Sequence, residues 1–174
     1  MEIISYVVDG ELTHGDSLGH ERTLTRGQVQ YMSAGSGIVH SEHNHGTDTA
    51  RFLQIWILPD RRGRTPAYGD HRFAWADRVG RWLLLAGPEG SGAPAELHQD
   101  ARISAAFITA GSDLKLELAA DRQAYLVLIE GDLTWPGNTD GPMGARDALE
   151  ITGVTLPLAS ETGAHVLVVE MARE

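Results

Sequence analysis

Apolar and polar positions alternate along this chain in short stretches that are separated by glycine, proline and acidic-glycine pairs. Short stretches of this kind, rich in β-branched and aromatic residues, are typical of β-strands joined by tight turns. No amphipathic pattern predicts a helix longer than about two turns. We therefore predict an all-β sandwich or barrel, with strands over residues 1–8, 11–14, 29–31, 38–44, 51–58, 81–85, 103–109, 114–118, 125–130 and 165–170.

The pattern repeats itself in the two halves of the chain. Asp9-Gly10 and Glu130-Gly131 follow corresponding strands, and each pair is a hairpin signal. Residues 59–69 combine proline and glycine with several arginines and are typical of a linker. The sequence therefore predicts two related β-barrels joined near residues 59–80. The apolar run at 51–58 predicts a buried strand with Trp56 in the core.

Charge and composition exclude several classes of partner. The 174 residues include 14 Lys and Arg against 24 Asp and Glu, a formal net charge of −10. This charge argues against direct nucleic-acid binding and against adhesion to anionic membranes. The chain has no cysteine, so it has no disulfide framework and no thiolate metal site, and we expect it to be cytoplasmic. No apolar run approaches the ~18 residues of a membrane span.

The candidate chemistry lies between Gly27 and Asn44. Two strands flank a turn of small residues at 33–37, where Gly35 and Gly37 are free to take positive φ. Side chains alternate along a strand, so the second strand carries His40, Glu42 and Asn44 on one face. An imidazole and a carboxylate in this arrangement are able to hold one cation. The alternative for an isolated His-x-Glu pair is a polar strand end near solvent.

The order of glycine, strand, small-residue turn, strand and histidine resembles the second conserved motif of the cupins. The stretch MSAGSGIVHSE at 32–42 resembles the pirin-like family of two-domain cupins, as do MEIISYVVDGELTHGDSLG at 1–19 and QIWILPDRRGRTPAY at 54–68. The resemblance covers nearly the whole chain and implies a bicupin, that is, two double-stranded β-helix barrels. It implies that His40 and Glu42 bind a metal ion, together with two histidines of an HxH motif on an earlier strand.

The resemblance also implies which parts are present. Glu2 and Gly10 match family positions that follow the HxH motif, so we expect the N-terminal segment that carries this motif to be lacking. We expect residues 1–78 to form a partial N-terminal cupin domain with its linker. Residues 79–174 would form a C-terminal cupin domain without metal ligands. An incomplete barrel leaves strand edges and apolar surface uncovered, which predicts a homo-oligomer.

The family's activity supplies the expected function. It implies a divalent Fe, Zn, Mn or Ni ion and quercetin 2,3-dioxygenase activity, in which Glu42 takes the hydroxyl proton of a flavonol as a catalytic residue. Because His40 and Glu42 are two of four ligands, we expect weak or absent metal binding and impaired activity. Glu2 and His14 are possible substitute ligands, although we expect His14 chiefly to stabilise its H-x-D-x-x-G turn. The alternative is a non-enzymatic metal-binding or regulatory protein that acts through protein partners.

Overall fold

The computed structural model of the protein describes residues 1–173, and β-strands dominate these residues. The prediction of an all-β chain is confirmed. The single short 3-10 helix among these residues spans Trp75–Arg78, and no helix in this range is long and apolar enough to cross a membrane. The strands are β1 (Glu2–Asp9), β2 (Glu11–Asp16), β3 (Glu21–Thr25), β4 (Val29–Ser33), β5 (His40–His43), β6 (Arg51–Ile57), β7 (Ala67–His71), β8 (Leu83–Pro88), β9 (Ala95–Leu97), β10 (Ala101–Ile108), β11 (Ser112–Glu117), β12 (Arg122–Leu133), β13 (Met143–Gly144), β14 (Ala148–Thr152), β15 (Thr155–Ser160) and β16 (Ala164–Ala172).

The strands are distributed over two compact units. Unit 1 comprises Met1–Ala74 together with Pro94–Gln99, and unit 2 comprises Trp75–Ala93 together with the chain from Asp100 onward. The division into a partial cupin domain over 1–78 and a second cupin domain over 79–174 stays a prediction, since compact units need not coincide with domains. The incompleteness of the first barrel stays a prediction as well.

Unit 1 contains two antiparallel sheets. The first has the strand order β6-β1-β4-β7, and the second has the order β3-β2-β5. β1 lies between two partners, and seven of its eight residues are buried, which explains its nearly continuous apolar sequence. The turn between β4 and β5 contains Gly35 at φ 51° and Gly37 at φ 143°, so the predicted positive φ angles are confirmed.

β6 corrects one expectation about unit 1. The strand lies at the edge of its sheet, and Gln54, Trp56 and Leu58 project from the same face because side chains alternate. All three are exposed, and Trp56 is 62% exposed. The prediction that Trp56 belongs to the core is wrong, because this face of β6 is not covered by residues 1–173. The sequence pattern of a strand is the same whether its apolar face is exposed or buried, so it did not reveal the exposure of Trp56.

The two acidic-glycine pairs are not hairpin turns. β1 pairs with β4 and β6 rather than with β2, so Gly10 joins strands of two different sheets. Gly131 lies within β12, which pairs with β16 before this point and with β13 after it. The corresponding places in the two halves are therefore bends at which the chain passes from one sheet to another. Gly10 and Gly131 have positive φ angles of 65° and 90°, which a bend of this kind requires.

Unit 2 encloses its core between two sheets. β12, β16, β10 and β8 pair in that order, β14 also pairs with β12, and β11 pairs with β15 in a separate ribbon. Alternate residues of these strands face each other to form one apolar cluster, which includes Ala106, Leu116, Leu126, Leu158 and Val166. Burial of this cluster is the main favourable term in the folding of unit 2.

We predict that Gly131→Ala strongly destabilises unit 2. A Cβ atom at this position would overlap the carbonyl oxygen of Gly163, and the residue would keep a positive φ angle. We expect the free energy of unfolding to fall by at least about 2 kcal/mol, measured by urea unfolding followed by circular dichroism.

Gly137→Ala is the matched control for this variant. Gly137 also has a positive φ angle, but no atom lies within 4 Å of the point that a Cβ atom would occupy there, so we expect a loss of only about 1 kcal/mol. Equal losses for the two variants would show that backbone strain alone, and not the close approach of Gly163, makes glycine necessary at residue 131.

Candidate metal centre

The pairing of β2 with β5 creates the site. In this antiparallel pair, His14 lies opposite Glu42 and Asp16 lies opposite His40. Residues that are directly opposite in a pair, or two apart on one strand, project from the same face of the sheet. The four side chains therefore share one face of the three-stranded sheet of unit 1.

Three of these residues form a candidate ligand group. One ligand atom from each of His14, His40 and Glu42 lies within 4.8 Å of the other two. Within residues 1–173, no other group of three or more His, Asp or Glu side chains has this spacing. His14 is buried, Glu42 is half-buried and His40 is exposed, so the group has a protein-lined side and an open side through which a ligand can enter.

The orientation of His14 is set by Asp16. The Nε2 atom of His14 lies 2.9 Å from Oδ2 of Asp16. Burial raises the pKa of the Asp16 carboxyl, but hydrogen bonds from His14, His20 and Leu18 outweigh it and hold this pKa well below its usual range. An ionised carboxylate only accepts hydrogen bonds, so Nε2 of His14 carries the proton. The Nδ1 atom, which has no hydrogen-bond partner among the described residues, is then the ring nitrogen left for a metal ion.

Glu42 is held by two amides. Nε2 of Gln30 donates to Oε1 of Glu42 at 2.8 Å, and Nε2 of Gln54 donates to Oε2 at 3.0 Å. Gln54 in turn accepts a hydrogen bond from Nε1 of Trp56 at 2.9 Å. With a donor on each oxygen, the plane of the carboxylate is fixed, while each oxygen retains a lone pair for a cation or a proton.

Tyr68 completes the wall behind His14. Its ring stacks on that of His14 with a centroid distance of 4.3 Å and on that of His20 at 4.9 Å. Burial, followed by the nearby charge of Asp70, raises the pKa of the Tyr68 hydroxyl, so the phenol is neutral. Its hydroxyl, Nδ1 of His14 and Oε1 of Gln30 are buried and have no hydrogen-bond partner among the described residues.

This combination of residues fits a divalent transition metal. Buried polar atoms without partners are rare and call for a ligand, an ion or a water molecule. Two imidazoles and one carboxylate on one side of an open position form the facial triad of non-haem Fe(II) oxygenases. The same donor set is compatible with Zn, Mn or Ni.

The structure places the other predicted residues elsewhere. Glu2 is fully buried, and its carboxylate is hydrogen-bonded to the Tyr31 hydroxyl at 3.0 Å, to Nδ1 of His98 at 2.6 Å and to the backbone N–H of His98 at 2.9 Å. Glu2 is therefore not part of the ligand group. Asn44 follows the end of β5 and is hydrogen-bonded to Asp48 and Gly46 in a turn, so it does not share the face of His40 and Glu42.

Sequence reasoning did not identify Asp16, Gln30, Gln54 and Tyr68 as neighbours of the site. For Asp16, the spacing of His14 and Asp16 on one strand was an available signal, because it is the same i, i+2 relation as that of His40 and Glu42. Gln30, Gln54 and Tyr68 lie on β4, β6 and β7, so only strand pairing brings them together. His14 bonds to the turn through Asp16 and lies in the candidate ligand group, and its role as a substitute ligand stays a prediction.

Comparisons with known proteins place this geometry in a family. The family model described as pirin matches residues 1–57, and the model described as quercetinase C-terminal cupin domain matches residues 84–171. A Pseudomonas aeruginosa protein named "Putative quercetin 2,3-dioxygenase" is 42% identical over 174 residues, which cover 99% of this chain and 74% of that protein. Quercetin 2,3-dioxygenase of Escherichia coli is 34% identical over 138 residues, which cover 79% of this chain and 58% of that enzyme.

Solved structures agree with the sequence comparisons. The bacterial pirin YhhW of Escherichia coli, in complex with nickel(II), superimposes with a TM-score of 0.88 at 30% identity, over 100% of this chain and 73% of YhhW. A quercetin 2,3-dioxygenase of Acinetobacter baumannii shares the fold, with a TM-score of 0.77 at 24% identity. The predicted cupin fold is confirmed by these neighbours, and the chain belongs to the pirin family of two-domain cupins.

Proposed function

We propose that this chain binds one divalent transition-metal ion through Nδ1 of His14, one ring nitrogen of His40 and one carboxylate oxygen of Glu42, and that it cleaves a flavonol-type substrate with dioxygen. The observation that carries the proposal is that one ligand atom of each of these three residues lies within 4.8 Å of the other two. The names of the relatives and the nickel(II) of YhhW support the reaction class and the metal. A metal ion held by three ligands binds more strongly than one held only by the two ligands of the His-x-Glu motif.

The roles of the residues follow from their contacts. When bound, the metal would supply Lewis-acid polarisation of the flavonol's hydroxyl and keto oxygens and the means to engage dioxygen. The carboxylate oxygen of Glu42 that does not bind the metal accepts the hydroxyl proton of the substrate. Gln30 and Gln54 each donate to one oxygen of this carboxylate and keep its plane in place. Asp16 keeps the proton of His14 on Nε2, so that Nδ1 stays available.

An aromatic surface lies beside these groups. Trp56 is 62% exposed, and its indole N–H is connected to Glu42 through the side chain of Gln54. The indole face offers a flat apolar surface for the rings of a flavonol, and aromatic pairs in stacked geometry are favourable beyond the area that they bury. The exposure of Trp56 therefore supports an aromatic substrate.

A second candidate function rests on exposed apolar side chains of unit 1. Val39, Trp56 and Leu58 of unit 1 are 76%, 62% and 71% exposed, and exposed apolar side chains near a site are also typical of protein–protein contacts. On this alternative the chain is a metal-binding regulator that acts through a protein partner. Metal binding without turnover of a flavonol would favour it over the dioxygenase.

The first prediction concerns the ligands. We expect the purified chain, after equilibration with Ni(II) or Fe(II) and gel filtration, to retain a single metal ion, measured by mass spectrometry of the metal. His40→Ala should weaken metal binding by about 100-fold or more, because the loss of even an outer partner commonly costs about 10–100-fold. His43→Ala is the matched control, since His43 lies on the same strand and is exposed on the opposite face. Retention of metal by His40→Ala at the wild-type level would contradict the proposed ligand set.

The second prediction concerns Asp16. In Asp16→Asn, Nε2 of His14 no longer faces a carboxylate, and the neutral ring is free to carry its proton on Nδ1. We expect metal affinity to fall by about 10–100-fold while the circular dichroism spectrum is unchanged, measured by competition with a chromophoric chelator. Asp48→Asn removes an equal charge from the exposed turn after β5 and should leave the affinity unchanged. Equal affinities for the two variants would show that Asp16 does not act through His14.

The third prediction concerns the reaction. Metal-loaded protein should consume oxygen in the presence of quercetin, measured with an oxygen electrode under saturating metal. Glu42→Gln should lower the rate by about 100-fold or more, because the amide does not accept the proton. Stoichiometric metal without oxygen consumption would reject the dioxygenase proposal and leave the regulatory alternative.

A further inference from the structure

Unit 2 contains a cavity that plays no part in the metal centre. Its volume is about 250 Å³, which is large enough for a small organic molecule but smaller than the sites of drug-sized ligands. The lining comes from β10, β11 and β16 and from Trp82, which precedes β8. Arg102, Ser104, Leu116, Val168 and Glu170 are the lining residues on which the argument depends.

The cavity lies where the interior of unit 2 changes from apolar to polar. In the pairing of β10 with β16, Ala106 faces Val166, Ser104 faces Val168 and Arg102 faces Glu170. These pairs project from one face, since alternate residues of a strand share a face. Ala106, Val166 and Val168 belong to the apolar core cluster. Ser104, Arg102 and Glu170 follow on the same faces of β10 and β16. They therefore place a hydroxyl and two opposite charges at the end of the apolar interior.

The charges at this end are not equivalent. Nε of Arg122 donates to Oε1 of Glu170 at 2.9 Å, and Nη1 of Arg122 donates to Asp100 at 2.6 Å. Nη1 of Arg102 is 3.6 Å from the same Glu170 oxygen, which is too far for a good hydrogen bond. Glu170 is thus satisfied by Arg122. Across residues 1–173, neither the Arg102 guanidinium nor the Ser104 hydroxyl has a hydrogen bond, and both line the cavity.

Arg122, which is hydrogen-bonded to Glu170, also has a donor without an acceptor in residues 1–173. The residue is only 9% exposed, and its Nη2 atom is buried without a hydrogen-bond partner in the described chain. A buried guanidinium donor without a partner is costly. Arg122 lies next to the cavity through its bond to Glu170, so at least one donor at this place has no acceptor among the described residues.

The rest of the lining combines the charged residues Lys115 and Glu117 with an apolar part formed by Trp82, Leu116 and Val168. Nε1 of Trp82 donates to the backbone carbonyl of Lys115 at 2.8 Å, which fixes the plane of the indole. The half-buried ring packs against the core cluster, and Leu116 and Val168 supply the other apolar surfaces. A fixed indole face beside two aliphatic side chains suits a planar ring.

We propose that this cavity binds a small aromatic monocarboxylate. The carboxylate accepts hydrogen bonds from the guanidinium of Arg102 and the hydroxyl of Ser104, an arrangement in which arginine provides two parallel donors. The ring lies against Trp82, Leu116 and Val168. Glu117 and Glu170 also line the cavity, and their negative charge disfavours a ligand with a second carboxylate.

Benzoate is the probe for this proposal. Isothermal titration of the full chain in the presence of EDTA, which prevents the probe from binding through a metal in unit 1, should show saturable binding at one site. Benzyl alcohol, which lacks the charge, and terephthalate, which carries a second one, should each bind at least about tenfold more weakly. Arg102→Gln should weaken benzoate binding by about 10–100-fold, as expected for the loss of a charge-assisted pair.

Two further variants keep the test decisive. Arg173→Gln removes the same charge from an exposed residue of unit 2 outside the cavity and should leave benzoate affinity unchanged. Trp82→Leu removes the flat wall and should weaken binding about fivefold or more, independently of any effect of Arg102 on folding. Absence of saturable binding at millimolar benzoate, or equal affinities for wild type, Arg102→Gln and Trp82→Leu, would overturn the proposal.

Discussion

The antiparallel register of β2 and β5 is the constraint on which the chemistry of this protein depends. It places His14 opposite Glu42 and Asp16 opposite His40, so one ligand of the candidate centre comes from a different strand than the other two. A slip of one residue would move each of these side chains to the other face of its strand. The turn between β4 and β5 and the bend at Gly10 determine where these strands begin, and backbone geometry is therefore as important to the site as the ligands themselves.

Around that register, polar side chains orient the candidate ligands. Asp16 accepts hydrogen bonds from the rings of two histidines and from two backbone N–H groups, while Gln30 and Gln54 hold the carboxylate of Glu42. The buried side chains of Asp16 and Gln30 would be costly to bury without partners. Together they define one tautomer of His14 and one plane of the Glu42 carboxylate, which is the order that a metal site requires of its outer groups.

The two units apply the same all-β architecture to different interiors. In unit 1 the imidazoles and carboxylates of β2 and β5 meet the amides of Gln30 on β4 and Gln54 on β6. In unit 2 the interior is an apolar cluster, and the facing rows of β10 and β16 become polar at Ser104 and at the Arg102–Glu170 pair. Glycine has a shared role in both, since Gly10 and Gly131 each permit a bend between sheets where another segment of backbone approaches closely. An acidic residue followed by glycine occurs both at a bend of this kind and in a hairpin turn. The two differ only in whether the strands before and after the glycine pair with each other.

The amino-acid sequence by itself determined the fold class, the turn with Gly35 and Gly37, and the pairing of His40 with Glu42 on one face, because each depends on neighbours within a few residues. The resemblance carried by residues 1–19, 32–42 and 54–68 determined the family. Only the tertiary structure decided that His14, and not Glu2, lies in the candidate ligand group, that Gln30, Gln54 and Tyr68 surround this group, and that Trp56 is exposed. These outcomes depend on which strands pair and in what register, and that choice is made by contacts between residues far apart in the chain, which the local pattern of apolar and polar positions does not encode.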